Sequence, residues 1–355
     1  MEFKPDFEDA QERLAAFWER DCVGRCALQV LAKRDDFAPP VEHADLLTRK
    51  TDVDYILQRA ERIFRNYHYL AEAVPTYVPG LVCSDTAAFL SDEITLMEDT
   101  VWYQPIIEDW STFRLNFDHD NRWWQLTRNM AEAASARAEG RYLVGLPDFQ
   151  VGIDIVSLLR SPERLCLDLL ENPDPVKAAT RFILDEVYTF CYGEIRSLLT
   201  RHNTVIGDWM GLFAECDHDI VQCDFGALIS PQHFAEFCLP DIRRQCQMLD
   251  RSIFHLDGPD ALRHLEALLE IEELDAIQWV PGAGQPPAVG WLPMLRQVQA
   301  AGKSLYITSP AADVEAILEV LSPKGLMVSV EDVFASLDEG RRFVANVEKT
   351  CSSKH

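Results

Sequence analysis

Positive charge is what this sequence has least of. Lys and Arg number 33 against 58 Asp and Glu, a formal net charge of −25. Phosphate-backbone recognition needs concentrated Lys and Arg, so nucleic acid is not expected as a partner. The charge favours a dissolved, self-repelling chain. No apolar stretch approaches the roughly 20 residues that span a bilayer, so no membrane is expected either. Residues 1–21 are acidic and amphipathic, without the basic segment and apolar run of a secretory signal. No CxxC pair occurs among the ten cysteines. Scattered cysteines within apolar patterns read as small hydrophobes, and a reducing cytoplasm is expected. There is no GxGxxG after an early strand, no short repeat and no low-complexity segment.

What is present is a long, apolar chain. Its 355 residues are 48% hydrophobic, enough to bury a large core. Residues 7–19 read as a helix, and Arg25-Cys-Ala-Leu-Gln-Val-Leu-Ala32 as a strand or extended segment. The spacing of Tyr55, Ile56, Ala60, Ile63, Phe64, Tyr67 and Leu70 predicts one long helix over 52–73. Thr76-Tyr-Val-Pro-Gly80 is a weak strand, and 93–110 an excursion of extended chain. After residue 140 strands alternate with helices. Tyr142-Leu-Val-Gly-Leu146, Thr204-Val-Ile-Gly-Asp208 and Ile220-Val-Gln-Cys-Asp224 come first, the last leading into the Ser230-Pro231 helix start. Four clear units follow, opened by Ser252-Ile-Phe-His255, Asp275-Ala-Ile-Gln-Trp279, Ser304-Leu-Tyr-Ile307 and Leu326-Met-Val-Ser-Val330. This rhythm predicts an α/β protein: a single closed (β/α)8 TIM barrel over 75–350, with residues 1–74 as an N-terminal helical extension packed on its outside. A doubly wound open sheet is the alternative.

A βα-barrel places its chemistry at the C-terminal ends of the strands. The groups there are Asp148-Phe149, Asp208-Trp209, Cys223-Asp224, His255-Leu-Asp257-Gly258, Gln278-Trp279, Tyr306 and Ser329-Val-Glu331. His255 and Asp257 are two apart, so both can face one side of a strand and either bind a metal or move a proton. Asp257 as a helix cap and His255 in a buried polar network are the plainer reading. Asp208 beside Trp209 suits a cationic or ring-shaped ligand, although a turn cap and a core indole would look the same. Cys223 beside an acid gains no thiolate stabilisation and reads as structural.

The stretch Cys223-Asp-Phe-Gly-Ala-Leu-Ile-Ser-Pro-Gln-His-Phe-Ala-Glu-Phe-Cys-Leu-Pro240, the His255-Leu-Asp-Gly-Pro259 strand end and Ile277-Gln-Trp-Val-Pro-Gly282 resemble the uroporphyrinogen decarboxylase superfamily, in its branch bordering the corrinoid-linked methyltransferases. Two departures bear on function. The Arg-Gln-Ala-Gly-Arg motif that grips a porphyrinogen's carboxylates has no match in residues 1–50, and the family's zinc-binding His-x-Cys stands here as His255-x-Asp257. The resemblance implies a methyltransferase acting on a small methylated or thiol substrate, with a corrinoid protein or free corrinoid as partner. His255, Asp257 and Glu331 would hold zinc or another divalent metal. His255, Asp257 and Asp208 would be catalytic, with Asp148, Phe149, Trp209, Gln278, Trp279 and Tyr306 against the substrate. The alternative is a metal-free decarboxylase or lyase for a small carboxylate or pyrrole, with Asp257 or Asp208 as the protonating acid. A non-catalytic corrinoid carrier fits less well, because its Asp-x-His-x-x-Gly motif is missing.

Overall fold

The computed structural model describes residues 1–39, 44–81 and 83–352. Its strands in chain order are β1 (Ala27–Lys33), β2 (Tyr67–Ala71), β3 (Thr76–Tyr77), β4 (Ile94–Leu96), β5 (Val101–Tyr103), β6 (Leu143–Val144), β7 (Ile206–Gly207), β8 (Phe213–Ala214), β9 (His218–Gln222), β10 (Arg251–Asp257), β11 (Ala276–Val280), β12 (Ser304–Ser309) and β13 (Leu326–Phe334). Seven of them form one sheet in the order β2-β1-β13-β12-β11-β10-β9. All its pairings are parallel except β1 with β2. The strands β9 to β13 alternate with helices as the sequence rhythm requires, and this mostly parallel sheet is compatible with a TIM-like barrel.

The hydrogen-bonded ring does not close among the described residues. The strand β3 pairs only with β6, and one bridge, Gly145 to Gly207, ties β6 to β7. The reason lies in local chemistry. Pro75, Pro79 and Pro147 flank these two-residue strands, and proline has no N–H to donate to a ladder. Glycine draws the same wall tight: a Cβ at Gly145 would stand 3.1 Å from the Gly207 carbonyl, and one at Gly207 2.7 Å from the Thr76 methyl. The closed eight-stranded barrel is therefore corrected to a seven-stranded sheet with a short, sparsely bonded wall.

The N-terminal expectation also changes. Strand β1 lies between β2 and β13, so the sheet starts at residue 27 and not at 75. Leu28 and Val30 pack toward the helices while Ala27 packs inside, the two-sided burial of a parallel strand. The helix expected over 52–73 runs only over Val53–Phe64, with Asp52 accepting from the Tyr55 amide at its start. Tyr67-His-Tyr-Leu-Ala71 is a strand instead, because aromatic residues suit a pleat and β1 offers an open edge. The helix Phe7–Trp18 does not lie on the flank. Its Ala10, Leu14, Phe17 and Trp18, spaced for one helical face, pack on Ala27, Ile253, Ala276 and Met327 at the N-terminal ends of the strands. Residues 173–199 form one continuous helical run with one π segment, Ile183–Tyr188. No described helix is long and apolar enough to cross a membrane.

A buried ion pair latches β1 to the end of β2. The Arg25 guanidinium donates to both Glu72 oxygens at 2.6 and 3.0 Å, and the Leu28 amide adds a third bond to Glu72 at 2.7 Å. Both side chains are almost fully buried. Glu72→Ala leaves the guanidinium unpaired in the interior and is expected to cost about 3–5 kcal/mol, read from urea unfolding. The double replacement Arg25→Met with Glu72→Leu should recover most of that loss, and a single-variant loss below about 1 kcal/mol would contradict the latch.

Candidate functional site

The candidate site follows from alternation along β10 and its neighbours. Ile253 packs inside the sheet, whereas Phe254 and Leu256 belong to the outer helix layer. With a side-chain period of two, His255 and Asp257 share the inner face with Ile253. In parallel register His255 stands opposite Gln222 of β9 and Gln278 of β11. Two residues past Gln222, Asp224 opens the 3-10 turn Asp224–Leu228. This brings Asp224, His255 and Asp257 together: one ligand atom from each lies within 4.8 Å of the others.

The surroundings orient each member. The Gln278 amide oxygen meets His255 Nδ1 in a short hydrogen bond. With that oxygen as acceptor, Nδ1 carries the proton and Nε2 keeps its lone pair. The Trp209 ring stands edge-on to the imidazole, 5.3 Å between centroids at 78°. Buried Asp154 accepts from the Asp224 and Phe225 amides at 2.9 and 2.8 Å and so fixes the turn. The Gln150 amide donates to Asp224 Oδ2 at 3.0 Å while its oxygen accepts from the Ser84 hydroxyl. The Gln222 amide donates to Asp148 Oδ1 at 2.6 Å. Carboxyls dominate this mouth, and their proton affinities respond. Burial pushes Asp148 up to about 6, against the hydrogen bond from Gln222. Burial and the neighbouring Asp224 raise Asp154 to about 8. Burial likewise raises Asp85, whose Oδ1 accepts from the Leu81 amide, to about 8. Asp224 is also raised, by desolvation first, with His255 pulling it down and Asp257 pushing it up.

Several residues expected from sequence are here: His255, Asp257, Gln278, Trp209 and Asp148. Others are placed elsewhere. Trp279 lies opposite Leu256, on the outer face, against Trp291 at 5.0 Å. Phe149 packs on Tyr188 in the core at 6.0 Å. The Tyr306 hydroxyl is buried between Gln29 and the Met210 carbonyl at 2.8 and 3.0 Å, in the layer resting on the helix Phe7–Trp18. Asp208 is also buried. Its Oδ1 accepts from the Leu212 amide at 2.9 Å, and its Oδ2 faces His218 Nε2 at 3.7 Å. It holds its own turn, and the ring it carries into the mouth is that of Trp209. Burial keeps the Asp208 carboxyl well above the usual range and lowers His218 to about 4. Glu331 is exposed on β13, with β11 and β12 between it and β10; the third member of the cluster is Asp224. The Cys223 thiol is held up by its hydrogen bond to Cys238 and by burial, which fits a structural role. Sequence reasoning saw Asp224 at a strand end without pairing it to His255, because the register of β9 on β10 makes that pair.

Asp148 gives a pH-dependence with a definite sign. Its pKa in the fold, about 6, exceeds the ordinary 3.8, so the folded chain holds this proton more tightly. That stability is complete below pH 3.8 and is lost as pH rises to about 6. Its contribution is at most about 3 kcal/mol. Asp148→Asn is expected to remove that slope from urea unfolding measured across this range, and an unchanged slope would place the pKa elsewhere.

No protein-family model and no curated protein matches this sequence. Among solved structures, a methyltransferase from Methanosarcina mazei matches 96% of this chain and 98% of its own, with a TM-score of 0.61 and 12% identity. At that identity the likeness is one of fold: the chain has the α/β architecture in which that methyltransferase is built.

Proposed function

We propose that the protein is a methyltransferase-type enzyme of the uroporphyrinogen decarboxylase superfamily, with a divalent metal held by Asp224, His255 and Asp257. It acts on a small methylated or thiol substrate, with a corrinoid protein or free corrinoid as the methyl-carrying partner. The convergence of those three side chains at the strand ends carries the reading, and the shared fold supports it.

The donor set suits such an ion. Two carboxylates and one imidazole are the hard-to-borderline ligands of zinc and similar divalent metals, and three protein ligands leave a position for substrate. The cluster contains no thiolate, so a metal here is more Lewis-acidic than one bound through cysteine. It would supply polarisation of a substrate atom. The chain's own residues do the rest. Gln278 sets the imidazole tautomer, Gln150 and Asp154 hold Asp224 in place, and Trp209 forms an apolar wall beside the imidazole. The crowd of acids is ill-suited to a polycarboxylate such as a porphyrinogen.

The raised carboxyls favour a second reading. Asp85 at about 8 holds its proton at neutral pH and Asp148 at about 6 holds one in mildly acidic solution, and a metal-free decarboxylase needs such an acid to protonate a leaving carbon. Asp148, not buried Asp208, would then act beside Asp257.

Zinc titration by calorimetry separates the two. His255→Ala and Asp224→Ala are each expected to weaken zinc binding by about 100-fold or more, and Glu331→Ala to leave it unchanged. The same two variants should lose demethylation of methylcobalamin in the presence of a thiol acceptor. A wild-type chain that binds no divalent metal and releases carbon dioxide from a small carboxylate would overturn the proposal in favour of the second reading.

A further inference from the structure

Beside the acidic cluster, on the other side of Trp209, the structure holds an open crevice of about 290 Å³. Leu31, Tyr69, Thr76, Val78, Trp209 and Ser329 are among the residues that line it. It lies along the sparsely bonded wall, where β3 stands apart from β1. Its chemistry differs from that of the mouth. No Lys, Arg, Glu or His lines it, and its one acid is Asp208. Neither oxygen of that acid is free to meet a ligand, because Oδ1 is bonded to the Leu212 amide and Oδ2 is sealed in the interior facing His218. What remains is an aromatic and aliphatic surface with the hydroxyls of Tyr69, Thr76 and Ser329 and the amide of Gln29, itself bonded to Met210, Gly211 and Tyr306. The volume is at the small end for ligand pockets.

We infer that this crevice binds a small uncharged organic molecule, its apolar body against Leu31, Val78 and Trp209 and its polar group among the hydroxyls. A charged ligand would be desolvated there without a partner, which is strongly disfavoured. Trp209 lines the crevice and also meets His255 edge-on, so a molecule seated there reaches the cluster around the edge of one indole. Identifying it as the substrate of the cluster rests on the proposed function; its binding does not.

The test uses three phenyl probes of similar size, benzyl alcohol, benzoate and benzylammonium, titrated by calorimetry into the metal-free full chain. Crevice binding is the part that Leu31→Trp removes, since the larger side chain fills the space; Ser329→Phe is a second filling variant, and circular dichroism checks that both fold. Benzyl alcohol is expected to bind and to lose at least about tenfold in affinity in either filling variant, and the crevice component of both ions to be at least about tenfold weaker than that of the alcohol. Zinc affinity should be unchanged by Leu31→Trp. His255→Ala should abolish zinc binding and leave benzyl alcohol binding intact, so failure of the metal site and failure of the crevice read differently. The inference is overturned if benzyl alcohol does not bind, if both filling variants leave its binding unaltered, or if an ion binds in the crevice as tightly as the alcohol.

Discussion

The parallel register of β9, β10 and β11 governs this molecule's chemistry. Side chains alternate strictly along a strand, so pairing His255 with Gln222 and Gln278 puts all three on the inner face and sends Leu256 and Trp279 to the helix layer. A slip of one residue would exchange imidazole for leucine at the mouth. The same register carries Asp224, two residues beyond Gln222, to the level of Asp257. Burial of Phe254, Leu256, Ile277 and Trp279 on the far side enforces the arrangement. The polar cluster is thus held by apolar packing that never touches it.

That cluster concentrates like charges. Asp148, Asp224 and Asp257 gather near one imidazole with Asp154 behind Asp224, and burial raises the carboxyls of Asp148, Asp154 and Asp224 above the ordinary range. Such a mouth repels anions and favours either a bound cation or protons shared among the acids. Metal and proton are alternative answers to one electrostatic demand, which is why the two functional readings meet in one mouth and share Asp257.

The second half of the fold was legible in the sequence because its strands are long and its helices well marked. The units opened by Ser252, Asp275, Ser304 and Leu326 all appear as β10 to β13. The first half was harder, because β3, β6 and β7 have two residues each, too few for a period to show. Strand β2 was hidden for a different reason: Tyr67 and Leu70 continue the helical spacing of Val53–Phe64, and only the free edge of β1 decides against it. At the site, His255, Asp257 and Gln278 could be chosen because strand ends are the rule for this architecture. Trp279, Phe149 and Tyr306 were misassigned for want of the face or depth at which each lies. Asp224 needed a partner strand before its role could be seen.

The hairpin of β7 and β8 carries Trp209 on a turn that enters the interior and is held there by side chains more than by strand pairing: the Tyr306 hydroxyl donates to the Met210 carbonyl and the Trp18 indole to the Phe213 carbonyl. Gly211 adopts φ +74°, and a Cβ there would come within 2.9 Å of the Gln29 amide nitrogen that grips the Met210 and Gly211 carbonyls. One bridge joins the hairpin to β6, and no ladder joins it to the seven-stranded sheet. The aromatic wall of the mouth is therefore a cassette, set into the scaffold and not woven through it. Descendants of this chain, natural or designed, can exchange the side chain at position 209, and so change the guest, while the turn that carries it and the register that gathers Asp224, His255 and Asp257 stay as they are.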